Sequence, residues 1–438
     1  MSVGDSREKM DLATKRIIIA MFMAMIVDGI NLQLLSLALP SIMIELKLSN
    51  LVGGALGAWS LAGMGVGGIL GGWLSDRVGR VRVCFFCVVM FSIATGCVAF
   101  CNTYWQIVFF RFVAGAGIGA VYGVCMTLIS EYIPTKWRAT ALGAMQGGWS
   151  LGYVVAGIMS SFIQPAYGWR ALFLASIAPG AISVVLLLGL KDAPSFLASR
   201  NAVRQSGVQK NEYAKMWADK SVRYTFIAWC FASIALQFGY YGANTWLPSY
   251  LAKDLGVNLK NAGWFVAAAY GAMVLGKAGA GYLGDQFGRR VVWLFAGIGS
   301  AVVMPVIVHY ATPTDIGLLL ILFGLICGAP YGVNGAYMSE SFPTAIRGTC
   351  LSTAHNIGRL GAMSAPLMIG AVSAQYSIGF GIALLGIAYL ICGLIPPIFI
   401  REKIFDPKSV EESVHQEAGT SFGVIPSHEV KFDPPVTR

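Results

Sequence analysis

Along most of the chain, apolar residues run for about 20 positions before a cluster of charged or turn-forming residues interrupts them, and a helix of that length crosses the ~30 Å hydrocarbon core of a bilayer. Such runs fall near 17–39, 51–74, 82–101, 105–129, 139–163, 170–190, 224–250, 261–284, 291–310, 315–339, 348–373 and 378–400. The pattern predicts an all-α integral membrane protein with twelve spans, six in each half. Residues 1–16 are expected to be a cytoplasmic segment, 17–190 and 224–400 the two six-helix bundles, and 191–223 a cytoplasmic linker with a surface helix near Tyr213–Asp219. Residues 401–438 are polar with no apolar period and are expected to form a disordered tail.

Composition agrees with a bilayer location. The chain of 438 residues is 56% hydrophobic and 12% charged, with a mean hydropathy of +0.67, outside the range of soluble globular proteins. A net charge of +10 by itself would suit a nucleic-acid partner, but its distribution argues otherwise. Of 31 Lys and Arg, 24 fall on the side that holds both termini. Four lie in the opposite loops (Lys47, Arg170, Lys253, Lys260) and three inside spans (Arg111, Lys277, Arg359). Such an excess marks the cytoplasmic side, so both termini are expected there and no nucleic acid is expected as a partner. The nine cysteines sit in apolar segments without a His/Cys set that would complete a metal site. The first apolar run is longer than a signal-peptide core and lacks a clear small-residue cleavage site, so span 1 is expected to stay in the mature protein.

Compared with itself at an offset of 209 residues, the chain repeats. Gly72-x-Leu74-x-Asp76-x-x-Gly79-Arg80 returns as Gly281-x-Leu283-x-Asp285-x-x-Gly288-Arg289, and Ser130-Glu131-x-x-Pro134-Thr135-x-x-Arg138 returns as Ser339-Glu340-x-x-Pro343-Thr344-x-x-Arg347. Two motifs with one offset mean two copies of one structural unit, and in an apolar chain that points to a transporter. Glycines four apart, as in Gly63-x-x-x-Gly67-x-x-x-Gly71 and Gly115-x-x-x-Gly119-x-x-x-Gly123, read as close helix packing rather than a dinucleotide loop, since no strand precedes them.

The loop Gly72-Trp73-Leu74-Ser75-Asp76-Arg77-Val78-Gly79-Arg80-Val81-Arg82 and its echo resemble the signature of the major facilitator superfamily over about residues 15–400. Within it, Asp28-Gly29-Ile30-Asn31, Arg111, the Glu131 block and Asn356-Ile357-Gly358-Arg359-Leu360-Gly361 are similar to the aromatic acid:proton symporter branch. Asn31 stands where that branch commonly has a second aspartate. The resemblance implies a fold of two pseudo-symmetric bundles and a proton-coupled carrier of organic acids.

The repeat also separates two kinds of charge. Asp76, Arg80, Glu131 and Arg138 recur as Asp285, Arg289, Glu340 and Arg347, all at the ends of spans on the predicted cytoplasmic side. They are the candidate gating residues, pairing in one state and parting in the other, with static loop anchoring as the alternative. Asp28, Arg111, Lys277, His355 and Arg359 have no such partners: the corresponding positions hold Gln237, Leu320, Gly68, Gln146 and Ser150. A charge within a span is costly and generally faces a cavity or a partner, so these five are the candidates for asymmetric function. Arg359, near the middle of span 11, is the expected carboxylate clamp, because its planar fork matches a carboxylate. Asp28 is the expected proton carrier, since substrate anion and aspartate compete for positive charge. A permanent Asp28–Arg359 or Asp28–Lys277 pair is the alternative.

His355, one turn before Arg359, is a candidate donor to substrate or a proton relay, or else a hydrogen-bonded core histidine. Arg111 is a candidate second clamp or a snorkelling interfacial charge. Asn31, Tyr240 and Tyr241 are further candidate substrate contacts, with Trp149, Tyr153, Trp246, Tyr270, Tyr331 and Tyr337 as aromatic lining. Lys277 has no assigned role and is placed as a neutraliser of an acidic neighbour or of a second substrate carboxylate.

Together these features predict import of an organic acid anion, aromatic or unsaturated, with protons, by alternating access in a bacterial inner membrane. One chain is expected to suffice as a monomer. Proton-independent exchange or efflux is kept open by Asn31, and a non-transporting acid sensor is the third possibility. No phosphate-binding loop, metal constellation or activated nucleophile is present in the sequence, so no cofactor, metal or enzymatic activity is expected.

Overall fold

The computed structural model describes residues 12–132, 135–192, 217–342 and 346–400. The segments 1–11 and 401–438, most of the expected linker and the start of its surface helix lie outside the described residues. Among those described, all regular structure is helical: α1 (Leu12–Glu45), α2 (Asn50–Val78), α3 (Arg80–Cys97), α4 (Tyr104–Tyr132), α5 (Thr135–Ala175), α6 (Ile177–Leu187), α7 (Lys220–Lys253), α8 (Leu259–Phe287), α9 (Arg289–Tyr310), α10 (Ile316–Glu340), α11 (Arg347–Val372) and α12 (Ile378–Phe399). In lipid only closed hydrogen-bonding structures such as helices satisfy every backbone group, which is why long apolar runs resolve this way.

Two breaks shape the spans. Gly168, at φ 79° and ψ 176°, turns the chain inside α5, so that the 43-residue apolar segment Met145–Leu187 holds two crossings and α6 completes the sixth. Gly328 divides α10 into Ile316–Cys327 and Ala329–Glu340. Nine segments among the described residues are apolar and long enough to cross a bilayer. The helices missing from that set are α8 and α11, which carry Lys277 and the His355–Arg359 turn.

The repeat extends into local geometry. Ser49 caps α2 by accepting from the Val52 amide, and Asn258, 209 residues on, caps α8 by accepting from the Asn261 amide. Gly79 (φ 121°) and Gly288 (φ 90°) make the sharp turns into α3 and α9 with backbone that a residue bearing Cβ rarely adopts. Glu45, at the end of α1, accepts from Trp169 Nε1 at 2.7 Å and from Arg170 at 2.6 Å, tying down the chain after Gly168. Its counterpart Asp254, just past α7, accepts from the Gly379 amide at 2.8 Å in the first turn of α12. The same acid position thus holds the same helix start, once through side chains and once through the backbone.

Small residues then set helix spacing. A Cβ at Gly67 would fall 1.8 Å from the Ala116 carbonyl oxygen, and one at Gly119 would fall 2.0 Å from that of Met64, so α2 and α4 touch backbone to backbone. The equivalent pair, α8 and α10, does the same at Gly276 and Gly324, where a Cβ would fall 2.2 Å from Leu325 O and 2.0 Å from Ala269 O. Contacts between the halves run along α2 with α11 and α5 with α8. Calling the face on which α1 begins the near face, these interfaces are tightest toward the far one. There Gly54 meets the Pro366 carbonyl, Gly370 meets that of Asn50, Gly157 meets that of Gly263, and Lys253 Nζ donates to Asn50 Oδ1 at 3.2 Å.

Gly67→Ala should therefore cost about 1–3 kcal/mol or more by overpacking. The monodisperse fraction on detergent size-exclusion chromatography is expected to fall several-fold, whereas Gly279→Ala, where a Cβ meets nothing within 4 Å, is expected to leave it unchanged.

Candidate functional site

The close contacts at Gly54, Gly370, Gly157 and Gly263 lie in the far halves of their helices. Just on the near side of them, α1, α2, α4, α5, α7, α8, α10 and α11 surround a cavity. Four of the five charged or titratable side chains that break the repeat line it: Asp28, Lys277, His355 and Arg359. Tyr240 and Tyr241 line it as well.

Arg359 is 5% exposed. Its Nε donates to Asn356 Oδ1 at 3.2 Å one turn back on α11, which fixes the fork while the two terminal nitrogens make no hydrogen bond to the described residues. Gly65 on α2 leaves room beside it, a Cβ there falling 4.0 Å from Arg359 Cδ. Asp28, near the middle of α1, is 1% exposed, and its Oδ1 has no hydrogen-bond partner. Neither Arg359 nor Lys277 approaches it to ion-pair distance, so the permanent pair considered from the sequence is not formed. His355 stacks on Tyr122, with ring centroids 5.6 Å apart and planes 15° from parallel. Its backbone carbonyl accepts from Gln237 Nε2 at 2.7 Å, and Gln237 is the repeat counterpart of Asp28. Lys277 Nζ donates to Ser150 Oγ at 2.7 Å and faces the rings of Trp149, Tyr240 and Tyr331 at 5.6, 5.7 and 5.5 Å.

Arg111 and Asn31 stand apart from this cavity. Arg111 is wholly buried and donates through Nε to Ser60 Oγ at 3.2 Å and through Nη1 to the Asn31 carbonyl at 3.1 Å, joining α4 to α2 and α1. The snorkelling position is thereby excluded, because the guanidinium points into the bundle. Asn31 turns its side-chain nitrogen back to the Val27 carbonyl at 2.7 Å. Ser60 also lines a second, smaller void toward the far face, which shares Tyr241 with the main cavity and includes Tyr153.

Among the expected aromatic lining, Trp149 and Tyr331 face the main cavity, but three residues serve packing instead. Trp246 donates to the Pro366 carbonyl at 3.0 Å, Tyr270 bonds Asn244, and Tyr337 packs on Trp229 and Trp293. The sequence reading missed Tyr122, Gln146 and Met64 as lining residues, and Ser150 as the anchor of Lys277. A signal for three of them was present: Tyr122, Gln146 and Ser150 are the repeat counterparts of Tyr331, His355 and Arg359. Gln146 donates to the Tyr122 hydroxyl.

Of the recurrent charges, Arg289 and Glu340 form an ion pair at 3.3 Å joining α9 to α10, and Arg289 also donates to the Gly284 carbonyl at 3.1 Å. Arg80 begins α3 next to Val81, whose amide donates to Asp192 at 2.8 Å. The side chains of Asp76, Glu131, Arg138, Asp285 and Arg347 lie outside those described.

Comparison with known proteins agrees with this architecture. The sequence profile of the Major Facilitator Superfamily matches residues 20–275 and 229–435, two matches that begin one repeat apart. The "Cis,cis-muconate transport protein" of Acinetobacter baylyi is 44% identical over 88% of this chain and 94% of its own. The "Gentisate transporter" of Corynebacterium glutamicum is 26% identical over 86% and 85%. In fold, the chain is similar to the xylose transporter XylE from E. coli in a partially occluded inward-open conformation, with a TM-score of 0.75 and 19% identity over 90% of this chain and 100% of that one. With these matches spanning the whole helical region, the chain belongs to the major facilitator superfamily and is a multi-pass membrane transporter.

Proposed function

We propose that this transporter carries an organic acid anion, an aromatic or unsaturated carboxylate, inward together with protons by alternating access. The observation that carries this reading is Arg359, whose terminal nitrogens make no hydrogen bond among the described residues, in a cavity that also holds Asp28. A fork with an unused pair of donors fits a carboxylate in a way that a structural arginine, saturated by carbonyls, does not. Arg111 differs in degree, since its Nε and Nη1 are spent on Ser60 and Asn31 and only Nη2 is left without a partner. The names of the relatives point to the same chemistry: gentisate is an aromatic acid, and cis,cis-muconate a doubly unsaturated one.

Substrate enters from the far face in a state with the α2/α11 and α5/α8 contacts open. Its carboxylate takes the Arg359 fork, and its unsaturated body lies against Trp149, Tyr240 and Tyr331. Asp28 then shares its surroundings with a second anion, which favours uptake of a proton. Closure of the far face and release of the near-face contacts, Arg289–Glu340 among them, delivers both to the other side. The excess of Lys and Arg on the near side supports an orientation with that face in the cytoplasm of a bacterial inner membrane. Asn31 faces its own helix, which leaves Asp28 as the acid of the cavity.

Arg359→Lys keeps the charge and removes the fork, so the apparent KM for uptake into proteoliposomes should rise roughly 10- to 100-fold, the size of a lost charge-assisted hydrogen bond. Folded yield is expected to stay near that of the wild type, and an unchanged KM would remove Arg359 from the clamp role. Asp28→Asn is expected to abolish accumulation driven by an inward proton gradient while retaining counterflow. Concentrative uptake persisting in that variant moves coupling to another group.

A further inference from the structure

Lys277 is the charge that the reading above leaves unused. It sits on α8 within the membrane, and no carboxylate comes within ion-pair reach of it among the described residues. Its surroundings are one hydroxyl, Ser150 Oγ at 2.7 Å, and the faces of Trp149, Tyr240 and Tyr331 at 5.6, 5.7 and 5.5 Å. Ring faces attract an ammonium but do not neutralise it, and a buried cation without a counter-ion is costly. The repeat counterpart of Lys277 is Gly68, so the shared scaffold does not require a cation there.

The approximate two-fold relation between the halves says where the two cations stand. Arg359 corresponds to Ser150, and Lys277 to Gly68. The relation that carries Ser150 and Lys277, at the α5/α8 interface, onto Arg359 and Gly68, at the α2/α11 interface, therefore places the two cations on opposite walls of one cavity. Trp149 and Tyr240 stack at 5.9 Å with planes 29° apart, and Tyr240 meets Tyr331 at 4.7 Å. These rings form an apolar wall between the two ends, suited to a flat spacer. With Asp28 protonated, the two cations balance two carboxylates. A monocarboxylate would leave one cation uncompensated.

We propose that Lys277 is a second carboxylate clamp and the specificity determinant of this site, and that the substrate class is a flat, conjugated or aromatic dicarboxylate held by Arg359 at one end and Lys277 at the other. This rests on the transport reading above and adds to it a choice among acids. Departure of Lys277 from Ser150 toward the second carboxylate is the movement that substrate induces.

The test uses the full-length protein in proteoliposomes and a matched pair of labelled acids, cis,cis-muconate and 2,4-hexadienoate, which share a diene spacer and differ in the second carboxylate. Entry into empty liposomes is subtracted. Wild type is expected to favour the dicarboxylate by roughly tenfold or more in kcat/KM. In Lys277→Gln that ratio should collapse toward one through a higher KM for the dicarboxylate, and Lys277→Arg should restore most of it. Size-exclusion profiles of the variants separate a folding defect from a lost contact. The proposal is overturned if wild type does not favour the dicarboxylate. It is equally overturned if Lys277→Gln lowers uptake of both acids by the same factor while remaining folded, or if Lys277→Arg behaves like Lys277→Gln. Failure of the underlying reading has a different signature, with neither acid taken up by wild type and Arg359→Lys indistinguishable from it.

Discussion

A charge held inside a membrane span has to be compensated where it stands, because neither water nor salt reaches it, and most of what distinguishes this molecule follows from that requirement. Arg111 meets it at Nε and Nη1, with a hydroxyl and a backbone carbonyl, and becomes part of the packing between α4, α2 and α1 although Nη2 stays without a partner. Arg359 and Lys277 meet it only partly, one through Asn356 and the other through Ser150 and three aromatic rings. Incomplete compensation around a cavity is what supports the anion-binding reading proposed for this site. The same residues make α8 and α11 too polar to stand among the apolar spans, so the lowered hydropathy of a helix is itself a mark of the cavity.

The two halves share backbone geometry and differ in side chains. Caps at Ser49 and Asn258, turns at Gly79 and Gly288, the acids Glu45 and Asp254, and the backbone contacts at Gly67 and Gly276 recur at one offset. Each answers a demand of helix termination or helix spacing that is the same in both copies. Where the copies face the cavity, glutamine stands opposite aspartate or histidine, serine opposite arginine and glycine opposite lysine. Under the proposed function, a symmetric frame allows two interfaces, α2/α11 and α5/α8, to form and break in concert, while asymmetric side chains give an anion a defined orientation within it.

Closure toward the far face depends on the same small residues. Glycines 54, 157, 263 and 370 allow backbone of one half to rest on backbone of the other, a contact with little side-chain interdigitation to undo. Toward the near face, the Arg289–Glu340 pair is partly exposed. Such a pair is worth little by itself, in keeping with the gating role proposed for it.

The residue order alone determined the approximate positions of the spans, the internal repeat, the family and the short set of intramembrane charges, because each is written in local hydropathy or in spacing that needs no third dimension. The five side chains that break the repeat could be named in the same way. Their distribution between cavity and packing was decided only by tertiary structure. Arg111 and Arg359 are both arginines within membrane-spanning helices, and only the approach of Ser60 and Asn31 to one of them shows that it is held by the bundle. Asn31 turns back along its own helix, Trp246 and Tyr337 donate to the carbonyls of Pro366 and Ile400, and Lys277 acquires its ring of aromatic faces from three separate helices. Which way a helical side chain faces follows from helix rotation, set by glycine contacts between helices distant in the chain, and that information resides in packing rather than in sequence.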